Sequence, residues 1–222
     1  MERTRTRPLP AGVLAPGRAL AFGLALGVSG TALLFVYASP AAAAIALAAI
    51  LFYVFAYTLW LKPRTPWAVV LGGLSGAIAP LIADAADDGR IGAAGLLLFA
   101  IVFAWQPPHF YAITLYRADD YARAGFPTLA SRIGVPRTRT RILAWTLALV
   151  ATTLVAVPAT ALGALYGVAA AALGAWFAWR AVALVRTGTD AEARRFFFAS
   201  LAYLFGLFGA MLADLCAGAL LA

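Results

Sequence analysis

The sequence predicts an all-α fold, a polytopic membrane helical bundle of about seven transmembrane helices, and three observations predict it. The chain is 64% hydrophobic and only 12% charged, whereas soluble globular domains run nearer half apolar and a quarter charged. Its mean hydropathy is +0.90. Several apolar runs approach the roughly 20 residues that cross a ~30 Å hydrocarbon core, and none alternates polar with apolar residues as a barrel strand must.

The runs, in order, are Arg18–Ala38, Ala41–Trp60, Ala68–Ala83, Ile91–Leu115, Ile142–Val157, Ala161–Ala183 and Phe196–Leu220. The first two meet at an uncharged turn, Ser39-Pro40. The third is short and rich in glycine (Gly72, Gly73, Gly76), with Pro80 near its end. Small residues let helix backbones approach, and a broken helix at membrane depth is tolerated where it packs on protein or lines a cavity. The fourth ends in Trp105-Gln-Pro-Pro-His-Phe110, which holds the single histidine of the chain. Its two prolines remove backbone donors and leave carbonyls open. The fifth and sixth runs are joined by an uncharged turn near Pro158. The last contains Asp214, expected to pair or to face water near the interface, and Cys216, expected to fill space. One cysteine excludes an internal disulfide and a cysteine-rich metal site. The polar first ten residues carry no signal-peptide pattern.

The net charge of +8 sits between the runs, so it reads as a topology signal and implies no nucleic-acid partner. Arg3, Arg5 and Arg7 precede the first run, Lys62 and Arg64 follow the second, and Arg117, Arg123, Arg132, Arg137, Arg139 and Arg141 follow the fourth. Arg186, Arg194 and Arg195 follow the sixth. The intervening connections are uncharged or, at Asp84, Asp87 and Asp88, acidic and read as a solvated loop. Basic residues mark the cytoplasmic side, which puts the N-terminus inside and the C-terminus outside a bacterial inner membrane. The 116–141 segment reads as the longest loop, a length that usually implies a role. Its Arg117–Arg123 stretch permits a short helix with i,i+3 and i,i+4 ion pairs.

Two groups of residues could carry chemistry. The cytoplasmic face would gather Arg3, Arg5 and Arg7 with Lys62, Arg64 and the Asp119/Asp120 pair. Carboxylates hold Mg2+ together with phosphate oxygens, and arginine and lysine neutralise the remaining phosphate charge. That combination suits a diphosphate held at the membrane surface with its lipid tail in the bundle. The plainer alternative is a set of topology anchors beside a salt-bridged loop. His109, flanked by Trp105, Phe110 and Tyr111, suits an aromatic pocket that orients or ligates an iron porphyrin. The plainer alternative there is a histidine hydrogen-bonded inside the bundle.

Four segments together resemble the UbiA-like intramembrane prenyltransferases, and within them the protoheme IX farnesyltransferases, or heme O synthases. They are Arg3-Thr-Arg-Thr-Arg-Pro-Leu-Pro-Ala-Gly12, Tyr57-Thr-Leu-Trp-Leu-Lys-Pro-Arg-Thr65, Gly72-Gly-Leu-Ser-Gly-Ala-Ile-Ala-Pro-Leu81, and Trp105-Gln-Pro-Pro-His-Phe110 continuing to Asp119-Asp-Tyr-Ala-Arg-Ala-Gly125. The last is the most specific, because other UbiA-like enzymes share the aspartate-rich loop without the Trp-x-Pro-Pro-His-Phe lead-in. The resemblance implies one UbiA-like domain over 1–222, with segment 116–141 as its active-site cap. It implies that farnesyl diphosphate ionises and that a vinyl group of heme b captures the allylic cation. Water then adds to give heme O, on the way to the heme A of cytochrome oxidase.

Under that resemblance Asp120 is a metal-binding and catalytic carboxylate, Asp119 its helper, and Mg2+ the cofactor. Arg3, Arg7, Lys62, Arg64 and Arg117 are diphosphate candidates, and His109 with Trp105 forms the heme side. Heme b is a substrate, and heme A synthase an expected partner. The family has about nine spans and a first Asn-x-x-x-Asp-x-x-x-Asp motif ahead of the Arg-rich segment. The chain therefore reads as lacking its first two helices, with Met1 an internal methionine and activity impaired. Ala68, Ala79 and Asp84 stand where asparagine, proline and tryptophan are usual, and Thr128-Leu-Ala130 where Met-Leu-Pro is usual. Two rivals stay open: a UbiA-like enzyme prenylating an aromatic quinone precursor, and a non-catalytic heme carrier or transporter.

Overall fold

Every element is helical among the described residues, which in this computed structural model are 4–160 and 162–221. In chain order they are α1 (Pro16–Tyr37), α2 (Pro40–Leu51) with a π-helical continuation (Phe52–Leu61), α3 (Ala68–Ala77) and α4 (Ala79–Asp88). There follow α5 (Ala93–Tyr116), α6 (Ala118–Arg123), α7 (Leu129–Ile133), α8 (Val135–Ala159), α9 (Ala164–Thr187) and α10 (Asp190–Leu221). Merged where they run on, they give 7 stretches long and apolar enough to cross a membrane. The protein is a multi-pass membrane helical bundle.

Helix ends depart from hydropathy ends. The segment carrying Asp84, Asp87 and Asp88, read as a loop, is helical as far as Asp88. Gly89, at φ 78°, supplies the left-handed residue that stops it. Asp84 then accepts the backbone N–H of Gly92, and Asp88 Oδ1 accepts that of Arg90 at 2.9 Å. Likewise much of 116–141 is not open loop: it holds α6, α7 and the first turns of α8. Pro136 stands in the first turn of α8, where its missing N–H costs nothing, so Arg137, Arg139 and Arg141 ride on the helix.

The chain divides into two compact units. The first runs up to Gly95 and again from Arg117 to Pro127. In it α2 packs on α1 and α4 through the buried alanines Ala42, Ala43 and Ala46. Ser39 caps α2 by accepting from Ala42 N at 3.0 Å and donates to the Ala85 carbonyl. Beyond Leu51 the helix widens. The Thr58 hydroxyl reaches the Tyr53 carbonyl at 2.7 Å and the Lys62 N–H that of Tyr57 at 2.9 Å, both five residues back. Such π segments are rare beyond one turn and frequent at functional sites. Gly72 on α3 lies so close to the Tyr57 ring that a β-carbon would overlap it.

The second unit takes Leu96–Tyr116 and Thr128 onward. Here α9 packs on both α8 and α10. Its buried residues Tyr166, Ala170, Gly174, Phe177, Ala181 and Leu184 recur every three or four positions, the stripe a helix period lays down. On α8 the corresponding stripe includes Thr138, Thr146 and Thr153. Each hydroxyl returns to a carbonyl of its own helix, Gly134, Ile142 and Val150, at 2.8–2.9 Å, so none is buried unbonded.

Candidate active site

The sequence-predicted polar residues fall into two groups, one in each unit. In the first unit Asp119 and Asp120 occupy the first turn of α6, where carboxylates suit the positive helix end. Asp120 Oδ1 meets Arg123 Nη2 at 2.9 Å, one turn on, so the expected i,i+3 ion pair is present. Neighbours on a helix diverge by about 100°, so Asp119, which is exposed, cannot face the same way as Asp120, whose side chain is largely buried.

Lys62, at the end of the π segment, places Nζ 5.6 Å from the Phe126 ring and 6.0 Å from the Tyr57 ring. Ring faces attract a cation without neutralising it. Among the described residues no carboxylate lies within ion-pair distance of this ammonium. Arg64 turns back instead, donating from Nη1 to the carbonyls of Trp60 at 2.9 Å and Leu59 at 3.3 Å. It therefore caps the π segment and spends part of its hydrogen-bonding capacity there. Arg117 is the exposed residue preceding α6. Arg7 is exposed in the segment before α1, and Arg3 lies outside the described residues.

The donor set can be tested against the expected cation. Among the described residues no cluster of three His, Cys, Asp or Glu could hold a metal ion. That excludes a closed protein cage. It fits Mg2+, which commonly takes one or two carboxylates and completes its shell with water and substrate phosphate oxygens. Asp120 and Asp119 are the carboxylates that could hold it there.

The second unit holds His109. Helix α5 runs unbroken through Pro107 and Pro108, so the carbonyls of Phe103 and Ala104 lose their usual partners. His109 is buried, 7% exposed. Its ring stacks on Trp105 at 4.3 Å and on Phe197 of α10 at 4.4 Å. Two near-parallel rings at that separation cannot share one face, so the imidazole lies between them. Phe110 meets it edge-on at 5.3 Å. Nδ1 lies 2.7 Å from the Ser200 hydroxyl, and Trp105 Nε1 donates to the Ser200 carbonyl at 2.7 Å. The buried hydrogen bond expected as the plainer alternative is present, and aromatic rings pack around the imidazole.

Sequence reasoning missed several partners. Ser200 and Phe197 lie on α10, some 90 residues from His109, and nothing in their neighbourhood marks them. Phe126 and Tyr57 also gave no signal as a cradle for Lys62. Glu192, on the first turn of α10, is buried and pairs with Arg180 at 2.7 Å and Arg195 at 3.4 Å. Arg180 could have been suspected, because a cation inside an apolar run needs a partner. Asp214 was expected to pair or to face water. Its carboxylate accepts the N–H of Gly163 at 2.5 Å and of Tyr166 at 3.1 Å, capping the start of α9 from another helix.

Comparison with known proteins shows what the chain is similar to. A family model described as the UbiA prenyltransferase family matches residues 1–211. The protoheme IX farnesyltransferase of Aromatoleum aromaticum is 46% identical over 214 residues, covering 96% of this chain and 70% of that protein. The protein of the same name from Thiobacillus denitrificans is 47% identical over 214 residues, covering 96% and 72%. Among solved structures, one from work on digeranylgeranylglyceryl phosphate synthase superposes with a TM-score of 0.80 at 16% identity, covering 96% of this chain and 76% of that one. A UbiA homologue from Aeropyrum pernix gives 0.67 at 21%, covering 96% and 78%. At those identities the two structures speak for the fold alone.

Proposed function

The chain belongs to the UbiA prenyltransferase family, among its protoheme IX farnesyltransferases, and from that premise we propose that it transfers a farnesyl group from farnesyl diphosphate to a vinyl group of heme b. The observation that carries the heme side of this reading is the caged histidine. Trp105 and Phe197 cover the two faces of the imidazole, so its ring edge is what can meet a ligand, and an imidazole nitrogen in aromatic surroundings suits the iron of a porphyrin better than a small charged aromatic acid.

In the reaction the bond between farnesyl C1 and the diphosphate oxygen breaks, and its electron pair leaves with the diphosphate. The vinyl π electrons form the new carbon–carbon bond, and water captures the resulting cation and loses a proton, giving heme O. Lys62 and Arg117, with Arg7, Arg3 and the remaining donors of Arg64, neutralise the departing diphosphate. Lys62 suits this because ring faces hold its charge without quenching it. Bound Mg2+ supplies further positive charge to the same oxygens, with Asp120 as its protein carboxylate and Asp119 behind it. Arg123, paired with Asp120, holds that carboxylate in place. The apolar helices keep water from the allylic cation. We place Arg3, Arg7, Lys62, Arg64 and the 116–141 cap on the cytoplasmic side, following the positive-inside rule, in one domain spanning the chain. Heme A synthase is the enzyme class that would consume the product.

The test supplies the chain in proteoliposomes with farnesyl diphosphate, Mg2+ and either heme b or an aromatic quinone precursor, and reads products by mass spectrometry. The expected result is heme O, however slowly formed, lost on chelation of Mg2+ and in Asp120→Ala. A prenylated aromatic acid would favour the quinone-pathway rival. Heme b bound but never prenylated would favour a carrier.

A further inference from the structure

His109 ends a hydrogen-bond chain whose direction can be read. The Ser200 hydroxyl lies 2.6 Å from the carbonyl of Phe197, one turn earlier on α10. A carbonyl only accepts, so the single hydroxyl proton points there. Toward His109 the Ser200 oxygen then offers lone pairs alone. The 2.7 Å contact with Nδ1 therefore makes Nδ1–H the donor, and in the neutral ring the lone pair is left on Nε2.

The same residue fixes the ring's surroundings. The Ser200 carbonyl accepts from Trp105 Nε1 at 2.7 Å, which holds the indole stacked on the imidazole. Phe197, whose carbonyl takes the serine proton, stacks on it as well. Ser200 is fully buried, so water does not compete for its hydroxyl. Metal-ligating histidines characteristically donate their other ring N–H to a fixed acceptor, which sets tautomer and orientation. The contact between Ser200 and His109 is of that kind.

We propose that Ser200 is a positioning residue: it holds His109 as the Nδ1–H tautomer, so that Nε2 presents its lone pair to the iron of a porphyrin. The identity of the ligand rests on the heme reading above; the tautomer does not.

Because the chain has one histidine, labelling with 15N-histidine gives a single ring to observe in lipid nanodiscs. The unchanged chain without ligand should show a protonated Nδ1 and a bare Nε2. Ser200→Ala should redistribute the two tautomers and weaken heme b binding about tenfold, the lower end for losing such a partner. Ser200→Thr, which keeps the hydroxyl, should restore the original nitrogen signals. An Nε2–H tautomer in the unchanged chain overturns the proposal whether or not any variant folds, and so does an unaltered spectrum in folded Ser200→Ala. The expected tautomer, with nitrogen signals that heme b fails to move, would remove the iron and the heme reading while leaving Ser200's hold on the ring.

Discussion

The two units keep most of their cations in different conditions. In the first, Arg123 is 67% exposed although its partner Asp120 is only 12%, Asp119 and Arg117 face outward, and Lys62 rests against two rings. In the second, Glu192 is 8% and Arg180 16% exposed in a direct pair. His109 is bonded and stacked, and the Tyr203 hydroxyl meets Thr153 at 3.0 Å inside the core. Exposed charges are cheap to hold and easily redirected to an arriving anion. Buried ones persist only when bonded, and that rigidity suits a flat ligand needing fixed geometry. On the proposed reading, the first unit would take the diphosphate and the second the porphyrin.

The sharpest way to break this contrast is Glu192→Ala. It strands a buried arginine, and we expect a loss of about 3–5 kcal/mol, read as a large fall in thermal unfolding temperature in detergent. An unchanged midpoint would mean that the pair is already hydrated. Asp120→Ala should behave in the opposite sense. It should cut heme O formation on the order of 100-fold while costing less stability than Glu192→Ala, since its partner Arg123 is 67% exposed. A matching loss of stability would mean that the Asp120 pair holds the fold as firmly as the Glu192 pair does. Asp214→Ala removes the cap of α9 and should cost about 1 kcal/mol with heme binding unaltered, measured by denaturation and titration together. Arg123→Ala should be the mildest for folding, under about 0.5 kcal/mol. Its effect should appear instead as a raised Mg2+ requirement in the turnover assay.

Hydropathy revealed the seven spans because burial in lipid demands apolar length. It could not reveal where helices end, since the Gly89 stop and the Pro136 start act through backbone geometry, which hydropathy does not register. So Arg137, Arg139 and Arg141 looked like loop residues, as did Asp84. The acidic pair and Lys62 were legible because charges next to apolar runs stand out. Their geometry was not: adjacency in sequence made Asp119 and Asp120 look like a chelating pair, whereas the helix turns them apart. His109 was conspicuous as the lone histidine between prolines and aromatics. Its partners were invisible, because Ser200 and Phe197 come from a distant helix with no local pattern. Arg180 stood out inside an apolar run, but its partner Glu192 did not, because it lies among loop charges.

The division of labour is tested most directly by titrating heme b into the unchanged chain, Asp120→Ala and His109→Ala in nanodiscs and following the Soret band. The account predicts that Asp120→Ala binds heme b as the unchanged chain does, while His109→Ala loses the shifted Soret band and most of the affinity. Heme binding that depends on Asp120, or that ignores the loss of His109, would contradict it.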